Sequence, residues 1–83
     1  MNQPCLPSIN QLRWMCRRGL LELDLLLIRI VEHQYPLFTE SEKFLFIELL
    51  SETDTDLLAW LLNQVPLPVH WDIQKMQLVQ ILQ

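Results

Sequence analysis

Residues 20–34 read LLELDLLLIRIVEHQ, and this stretch decides the fold. Nine of its first twelve residues are Leu, Ile or Val, interrupted only by two acids and one arginine. A helix formed by this stretch is apolar around most of its circumference, which is typical of a helix that other elements cover. Pro36 disfavours a helical conformation for the residue before it, so the helix is expected to end by Gln34. The sequence therefore predicts a buried helix over residues 20–34.

The segment that precedes this helix carries the signals of a first helix. Ser8 is a candidate N-cap, and Gly19 stands where a helix C′ residue is expected. Arg17 and Arg18 are then predicted to lie in the last turn, where cations complement the helix dipole. Residues 1–7 contain two prolines and are expected to form a loose arm. One face of this first helix carries Ile9, Leu12, Met15 and Cys16.

The second half of the chain predicts two further helices from their start signals. Residues 39–42 (TESE) match the S/T-x-x-E capping box, so a third helix is expected to begin at Thr39 and stop near Ser51. A fourth is expected to begin at Thr53 or Asp54. Prolines are expected to end it, and its apolar residues are Leu57, Leu58, Trp60, Leu61, Leu62 and Val65.

A last helix is predicted over residues 69–82, which completes a set of five. Five helices joined by short connections form a compact all-α bundle of antiparallel neighbours. A chain of 83 residues has no room for a second domain, so residues 1–83 are expected to form a single helical domain. The expected core positions of the last helix are Ile73, Met76, Val79 and Leu82.

Composition excludes several classes of function. The chain has one glycine, whereas the dinucleotide-binding, Walker and nucleophile-elbow motifs each need at least two. Six basic residues against ten acidic ones argue against nonspecific nucleic-acid binding. No unbroken apolar run approaches the ~20 residues that span a bilayer, so membrane insertion is not expected.

Cysteine and histidine are too few and too widely spaced for a recognisable site. Cys5, Cys16, His33 and His70 include neither a C-x-x-C nor an H-x₃-H pair, so no metal site is expected. Two cysteines do not make a disulfide framework, which favours a cytoplasmic chain with reduced thiols. Cys16 is expected to pack as a small apolar residue. No serine, histidine or cysteine stands in an arrangement typical of a catalytic set, so the chain is not expected to be an enzyme.

The positive charge is concentrated near the single glycine. Residues 1–30 contain four arginines and two acids (4 − 2 = +2), whereas residues 31–83 contain two lysines and eight acids (2 − 8 = −6). Arg13, Trp14, Arg17 and Arg18 adjoin Gly19, and arginine and tryptophan are the residues that dominate interface hot spots. The residues alone leave two interpretations open, because helix capping accounts for the same residue types.

The same segment resembles a known family. Residues 14–24 read W-M-C-R-R-G-L-L-E-L-D, which is similar to the R-G-x-x-E signature of the SdhE family, the flavinylation factors of succinate dehydrogenase. The similarity extends to D-T-D-L-L-A-W at residues 54–60 and covers about residues 9–64. The sequence departs from the family pattern in two places. Many relatives have a basic residue at the position of Gln11, and Arg13 is expected to substitute for it in part. Many relatives also have a longer, polar C-terminal tail, whereas this chain ends at Gln83.

The resemblance implies a five-helix bundle that acts as an assembly chaperone. Its members bind the flavoprotein subunit of succinate dehydrogenase, and often of fumarate reductase, and promote covalent attachment of FAD to that subunit. FAD thus belongs to the partner, and the factor itself is expected to hold no cofactor. A bacterial cytoplasmic protein that is monomeric when free is expected. The residues implied at the partner interface are Arg18, Gly19 and Glu22, flanked by Arg13, Trp14, Arg17 and Asp24.

Two expectations about mechanism follow from an exposed motif. Glu22 is expected either to orient Arg18 across the turn or to bond the partner's backbone, and an exposed Arg18–Glu22 pair contributes only a few tenths of a kcal/mol. Arg18→Ala is therefore expected to leave the melting temperature almost unchanged while reducing flavinylation. Rival interpretations are an antitoxin that binds a membrane-associated toxin, as relatives of the CptB type suggest, and a DNA-binding regulator, which the acidic balance disfavours.

Overall fold

The computed structural model describes residues 6–83, and five α-helices and one short 3₁₀ turn lie within that range. The prediction of an all-α bundle of five helices is confirmed. Residues 1–5, with most of the predicted loose arm and with Cys5, lie outside the described residues. The helices are α1 (Ile9–Met15), α2 (Leu21–His33), α3 (Glu40–Leu49), α4 (Asp54–Leu61) and α5 (Ile73–Leu82), and the 3₁₀ turn is Tyr35–Leu37.

Two capping boxes set the starts of α1 and α3. The Ser8 hydroxyl accepts from the Gln11 backbone N–H at 3.2 Å, and the Gln11 side chain accepts from the Ser8 N–H at 2.9 Å. Thr39 and Glu42 make the same reciprocal pair at 3.2 and 2.8 Å. Each box satisfies two backbone donors that a helix N-terminus would otherwise leave unpaired. Both predicted caps are confirmed.

The N-cap of α4 is Thr53, whose hydroxyl accepts from the Asp56 N–H at 3.4 Å. Of the two candidates, Thr53 is therefore the cap, and Asp54 is the first helical residue. The cap assignment matters for the site described below, because it leaves the Asp54 carboxylate free of a capping role.

Helix α2 packs at the centre of the bundle. It contacts α1, α4 and the 3₁₀ turn, and its buried residues are Leu23, Leu27, Ile30 and Val31. One side of α2 is not covered, because Leu21 is 72% exposed and Leu25 is 57% exposed. The prediction that α2 is buried is thus right for its inner side and wrong for this outer stripe. Periodicity cannot show the difference, since leucine occupies both sides.

Two predicted helix ends in the second half of the chain are wrong. Helix α4 stops at Leu61, and Asn63 then adopts a left-handed conformation (φ 56°) that turns the chain away before the prolines. Helix α5 begins at Ile73 after Asp72, four residues later than predicted. Its buried residues are Lys75, Leu78 and Val79, whereas Ile73 is 71% exposed.

The end of α1 also differs from the prediction. The helix stops at Met15 with Cys16 as its C-cap, so Arg17, Arg18 and Gly19 lie beyond it in the link to α2. Cys16 is fully buried, and its N–H donates to the carbonyls of the preceding turn. Gly19 does have a positive φ of 81°, but it reverses the link rather than capping the helix.

Candidate functional site

The link between α1 and α2, residues 16–20, has an inner side that faces the bundle and an outer side that faces solvent. Arg18 forms the inner side, and its side chain is only 16% exposed. Its Nε donates to the Asp54 carboxylate at 2.7 Å, its Nη1 to the Leu50 carbonyl at 2.7 Å, and its Nη2 to the Glu52 carbonyl at 2.9 Å. The guanidinium therefore holds three points of the α3–α4 corner at once.

These contacts supply hydrogen-bond donors to backbone carbonyls at the end of α3 and in the corner that follows it. The last carbonyls of a helix and of the turn that follows have no intrahelical donor, and buried carbonyls without donors are costly. Leu50 is the C-cap of α3, and Glu52 lies in the corner before Thr53. A planar guanidinium with five donors can satisfy both carbonyls and a carboxylate in one plane, which a lysine cannot do.

The link is also anchored through its backbone. The Arg18 N–H donates to the Asp24 carboxylate at 2.7 Å, so Asp24 holds the link against the first turns of α2. The expected Arg18–Glu22 pair is wrong, because Arg18 binds Asp54 and the corner carbonyls, and Glu22 is exposed. The same contacts argue against the expectation that Arg18→Ala leaves stability almost unchanged.

The outer side of the link presents the remaining motif residues to solvent. Trp14 is 71% exposed, and the Arg17 guanidinium carbon lies 5.5 Å from the centroid of its ring. A β-carbon built on Gly19 would have no heavy atom within 4 Å, so open space surrounds that position. Glu22 and Arg13 are exposed as well. We call Trp14, Arg17, Gly19, Leu21 and Glu22 the outer surface of the link.

The structure therefore divides the seven predicted interface residues. Arg18 and Asp24 are partly buried and hold the link, whereas the other five are exposed. Sequence reasoning did not predict that Leu21, which belongs to the outer surface, and Leu25, one turn further along α2, are exposed. A signal was available, since a short chain has few elements with which to cover a helix that is apolar on nearly every side.

A second charged cluster lies on the other side of the α3–α4 corner. Lys75 is only 7% exposed, and its Nζ lies 3.5 Å from Glu52 and 3.7 Å from Glu48. The same Nζ lies 4.4 Å from the centroid of the Trp71 ring. These distances are long for direct hydrogen bonds but favourable for a partly desolvated cation. Glu52 thus contacts Arg18 through its carbonyl and Lys75 through its carboxylate.

The remaining candidates for chemistry among residues 6–83 are Cys16 and the two histidines. Burial raises the pKa of the Cys16 thiol to about 11, which makes it a poor nucleophile at neutral pH. The prediction that Cys16 packs as an apolar residue is confirmed, since it is fully buried. His33 and His70 are exposed and far apart in sequence. Among residues 6–83, no group of three His, Cys, Asp or Glu side chains is placed to hold a metal ion.

No helix within residues 6–83 combines the length and the apolar character needed to cross a membrane.

A small helical bundle with exposed tryptophan, arginine and leucine side chains on one surface is typical of protein-binding modules. Comparison with known proteins gives this class a family. Residues 10–83 match the family model described as "Flavinator of succinate dehydrogenase", and the chain belongs to that family.

Curated relatives agree with the family match. The chain is 45% identical over 65 residues to the FAD assembly factor SdhE of Coxiella burnetii, an overlap that covers 78% of this chain and 77% of that protein. It is 41% identical over 63 residues to the protein of the same name from Shewanella oneidensis, covering 76% of this chain and 77% of the relative. No solved structure gives a significant match.

Proposed function

We propose that this chain binds the flavoprotein subunit of succinate dehydrogenase and promotes covalent attachment of FAD to it. The observation that carries the proposal is the family match over residues 10–83, together with relatives named FAD assembly factors. Fumarate reductase is proposed as a second client. No observation favours the antitoxin alternative.

The outer surface of the link is proposed as the contact with the flavoprotein. Trp14 and Arg17 are exposed and stacked on each other, so they present a preformed apolar and cationic pair to a partner. Gly19 leaves open space beside them, which permits close approach of a partner backbone. Arg18 and Asp24 are proposed as positioning residues, because they fix the link that carries this surface.

The chain is proposed to act without catalytic residues of its own. The bond would form on the partner, between FAD and a residue of the flavoprotein, while this protein stabilises a competent conformation of that subunit. No cofactor is assigned to the chain itself. We further propose that it acts as a monomer in the bacterial cytoplasm.

The test is covalent flavin on the flavoprotein subunit, expressed in a bacterial host that lacks its own assembly factor. In-gel flavin fluorescence should rise severalfold when this chain is co-expressed. The double variant Trp14→Ala/Arg17→Ala should lose most of that gain while its melting temperature falls by only a few degrees. Arg29→Ala is the matched control, because Arg29 is exposed at the other end of α2 and should retain the wild-type gain.

Two results would count against the proposal. If wild-type protein leaves covalent flavin unchanged, the chain is not an assembly factor for that subunit. If the wild type raises covalent flavin but the double variant does so equally, the function stands and the outer surface is not the contact. Repeating the assay with the flavoprotein subunit of fumarate reductase decides whether that enzyme is a second client.

A further inference from the structure

An open groove of about 760 Å³ lies beside the outer surface, between the segment that precedes α1, α1 itself and α3. Its walls are mainly apolar, and two amide side chains complete them. The lining residues are Leu6, Pro7, Asn10, Gln11, Trp14, Met15 and Ile47. Trp14 belongs to both the groove and the outer surface, so the two are continuous.

The α1 side of this groove carries positive charge. Residues 8–20 contain three arginines and no acid, and Arg18 is neutralised by Asp54. Arg13 and Arg17 are exposed, and Arg17 lies against the Trp14 ring that lines the groove. The rest of the chain is acidic, with a formal charge of 2 − 8 = −6 over residues 31–83. A negatively charged ligand is thus attracted to this edge of the molecule.

The shape and the lining specify what kind of ligand fits. The groove is open along its length, so it suits a segment of polypeptide better than an enclosed small molecule. Apolar walls accept a large apolar side chain, and the exposed Asn10 amide can both donate to and accept from an extended backbone. Acidic residues next to that side chain would meet Arg13 and Arg17.

We propose that this groove binds a segment of the client flavoprotein in which a large apolar residue stands within two positions of an Asp or Glu. The inference rests on the proposed function, because continuity with the outer surface identifies the same partner. It also goes beyond the family match, since Leu6 and Pro7 lie outside the matched residues 10–83. The groove would add a site that recognises sequence beside the outer surface of the link.

Opposite charges at one position test the proposal directly. Asn10→Glu places a negative charge beside an acidic ligand and should weaken binding of the purified flavoprotein subunit about fivefold, whereas Asn10→Lys should leave binding unchanged or strengthen it. Asn10 lies in the first turn of α1, where the helix dipole makes Glu stabilising and Lys destabilising. Stability and binding are therefore expected to change in opposite directions, which excludes a folding artefact.

A photo-cross-linker identifies the occupant. With p-benzoylphenylalanine at position 10, cross-linked peptides should come from the flavoprotein and contain an apolar residue within two positions of an acid. Cross-links to a second copy of this chain, to its own residues 1–5, or to a segment without an acid would overturn the proposal. Equal binding by both Asn10 variants and the wild type would overturn it as well, as would wild-type protein that does not bind the subunit.

Wild-type flavinylation in the co-expression assay separates this proposal from the proposed function. If covalent flavin rises with the wild type but the charge pair has no effect on binding, only the groove assignment fails. If covalent flavin does not rise, the proposed function fails, and the binding constants of the two variants still decide whether the groove is a docking site.

Discussion

Arg17 and Arg18 are neighbours in sequence but lie on opposite sides of the link between α1 and α2. On the inner side, Arg18 donates to Asp54, Leu50 and Glu52 and is only 16% exposed. On the outer side, Arg17 is exposed, and its guanidinium lies over the ring of Trp14. A guanidinium fixed by several hydrogen-bond partners contributes to stability, whereas an exposed one remains available to a partner protein.

The difference separates two ways in which a motif can matter. Loss of the inner side would release the link and displace the outer surface, so activity would fall together with stability. Loss of the outer side would leave the fold intact and remove only the contact. Measuring melting temperature and flavinylation on the same variants therefore assigns each residue to one side.

The largest effect is expected for Arg18→Ala. Removing the guanidinium leaves two corner carbonyls and one carboxylate without their charged donor, which should cost about 2–4 kcal/mol. For a domain of this size the melting temperature should fall by about 10–20 °C. Arg18→Lys should be intermediate, because it retains the charge but not the planar set of donors. Thermal unfolding followed by circular dichroism measures the melting temperatures of both variants. An unchanged melting temperature in Arg18→Ala would show that Arg18 does not stabilise the link.

A smaller effect is expected from titration of Cys16, which is also buried on the inner side. Burial disfavours the thiolate and raises the pKa of this thiol from its ordinary value of 9.0 to about 11 in the folded protein. The stabilising contribution is thus fully present below pH 9 and is lost as the pH rises from 9 towards 11. By pH 10 the loss should be about 1 kcal/mol.

The control for this pH dependence is Cys16→Ala, which lacks the thiol. Burial also raises the pKa of Tyr35, so the informative quantity is the difference between wild type and variant and not the wild-type curve alone. Urea unfolding at pH 8, 9 and 10 provides that difference. Parallel curves would mean that Cys16 is hydrated in the folded protein.

Gly19→Ala should cost about 1 kcal/mol, because an L-residue at φ 81° is strained. No clash adds to this cost, since a β-carbon would meet no heavy atom within 4 Å. Gly19→Asn should cost less, because asparagine tolerates the left-handed region. Equal unfolding free energies for glycine and alanine would indicate that the link relaxes to a negative φ.

The smallest change in stability is expected for Arg17→Ala. An exposed cation–π contact contributes about 0.5–1 kcal/mol at most, so the melting temperature should fall by only a few degrees. Covalent flavin on the flavoprotein should nevertheless fall clearly. The comparison between the two sides fails if Arg17→Ala destabilises the domain as much as Arg18→Ala does.

The local signals in the sequence were sufficient for most of the fold. Ser8 and Thr39 are recognisable as caps from residues within three positions of each, and the structure confirms both. For α4 the sequence left Thr53 and Asp54 as candidates, and the structure selects Thr53. Which residues of α5 are buried was harder to predict from the sequence. Lys75 is buried beside Glu48 of α3 and Glu52 of the corner that follows α3. An apolar period cannot reveal a lysine whose burial depends on charges more than twenty residues away.

Only the exposed residues of the candidate site could be predicted from the sequence. The sequence placed Trp14, Arg17, Gly19 and Glu22 in one segment, and the structure places all four on the exposed side of the link. It could not place Arg18, whose partners Leu50, Glu52 and Asp54 are 32 to 36 residues further along the chain. The pairing of Arg18 with Glu22 was a local prediction that long-range contacts replace.

By itself, the sequence determined the number of helices, the N-caps Ser8 and Thr39 and the family resemblance, because each depends on residue types at short and fixed spacings. Tertiary structure alone decided that α1 ends at Met15, that Arg18 faces inward and that Leu21 faces outward. These outcomes depend on which carbonyls and carboxylates the packing of α3 and α4 brings within reach of one guanidinium. Local propensity contains no information about those distances, which is why adjacent arginines could acquire different roles.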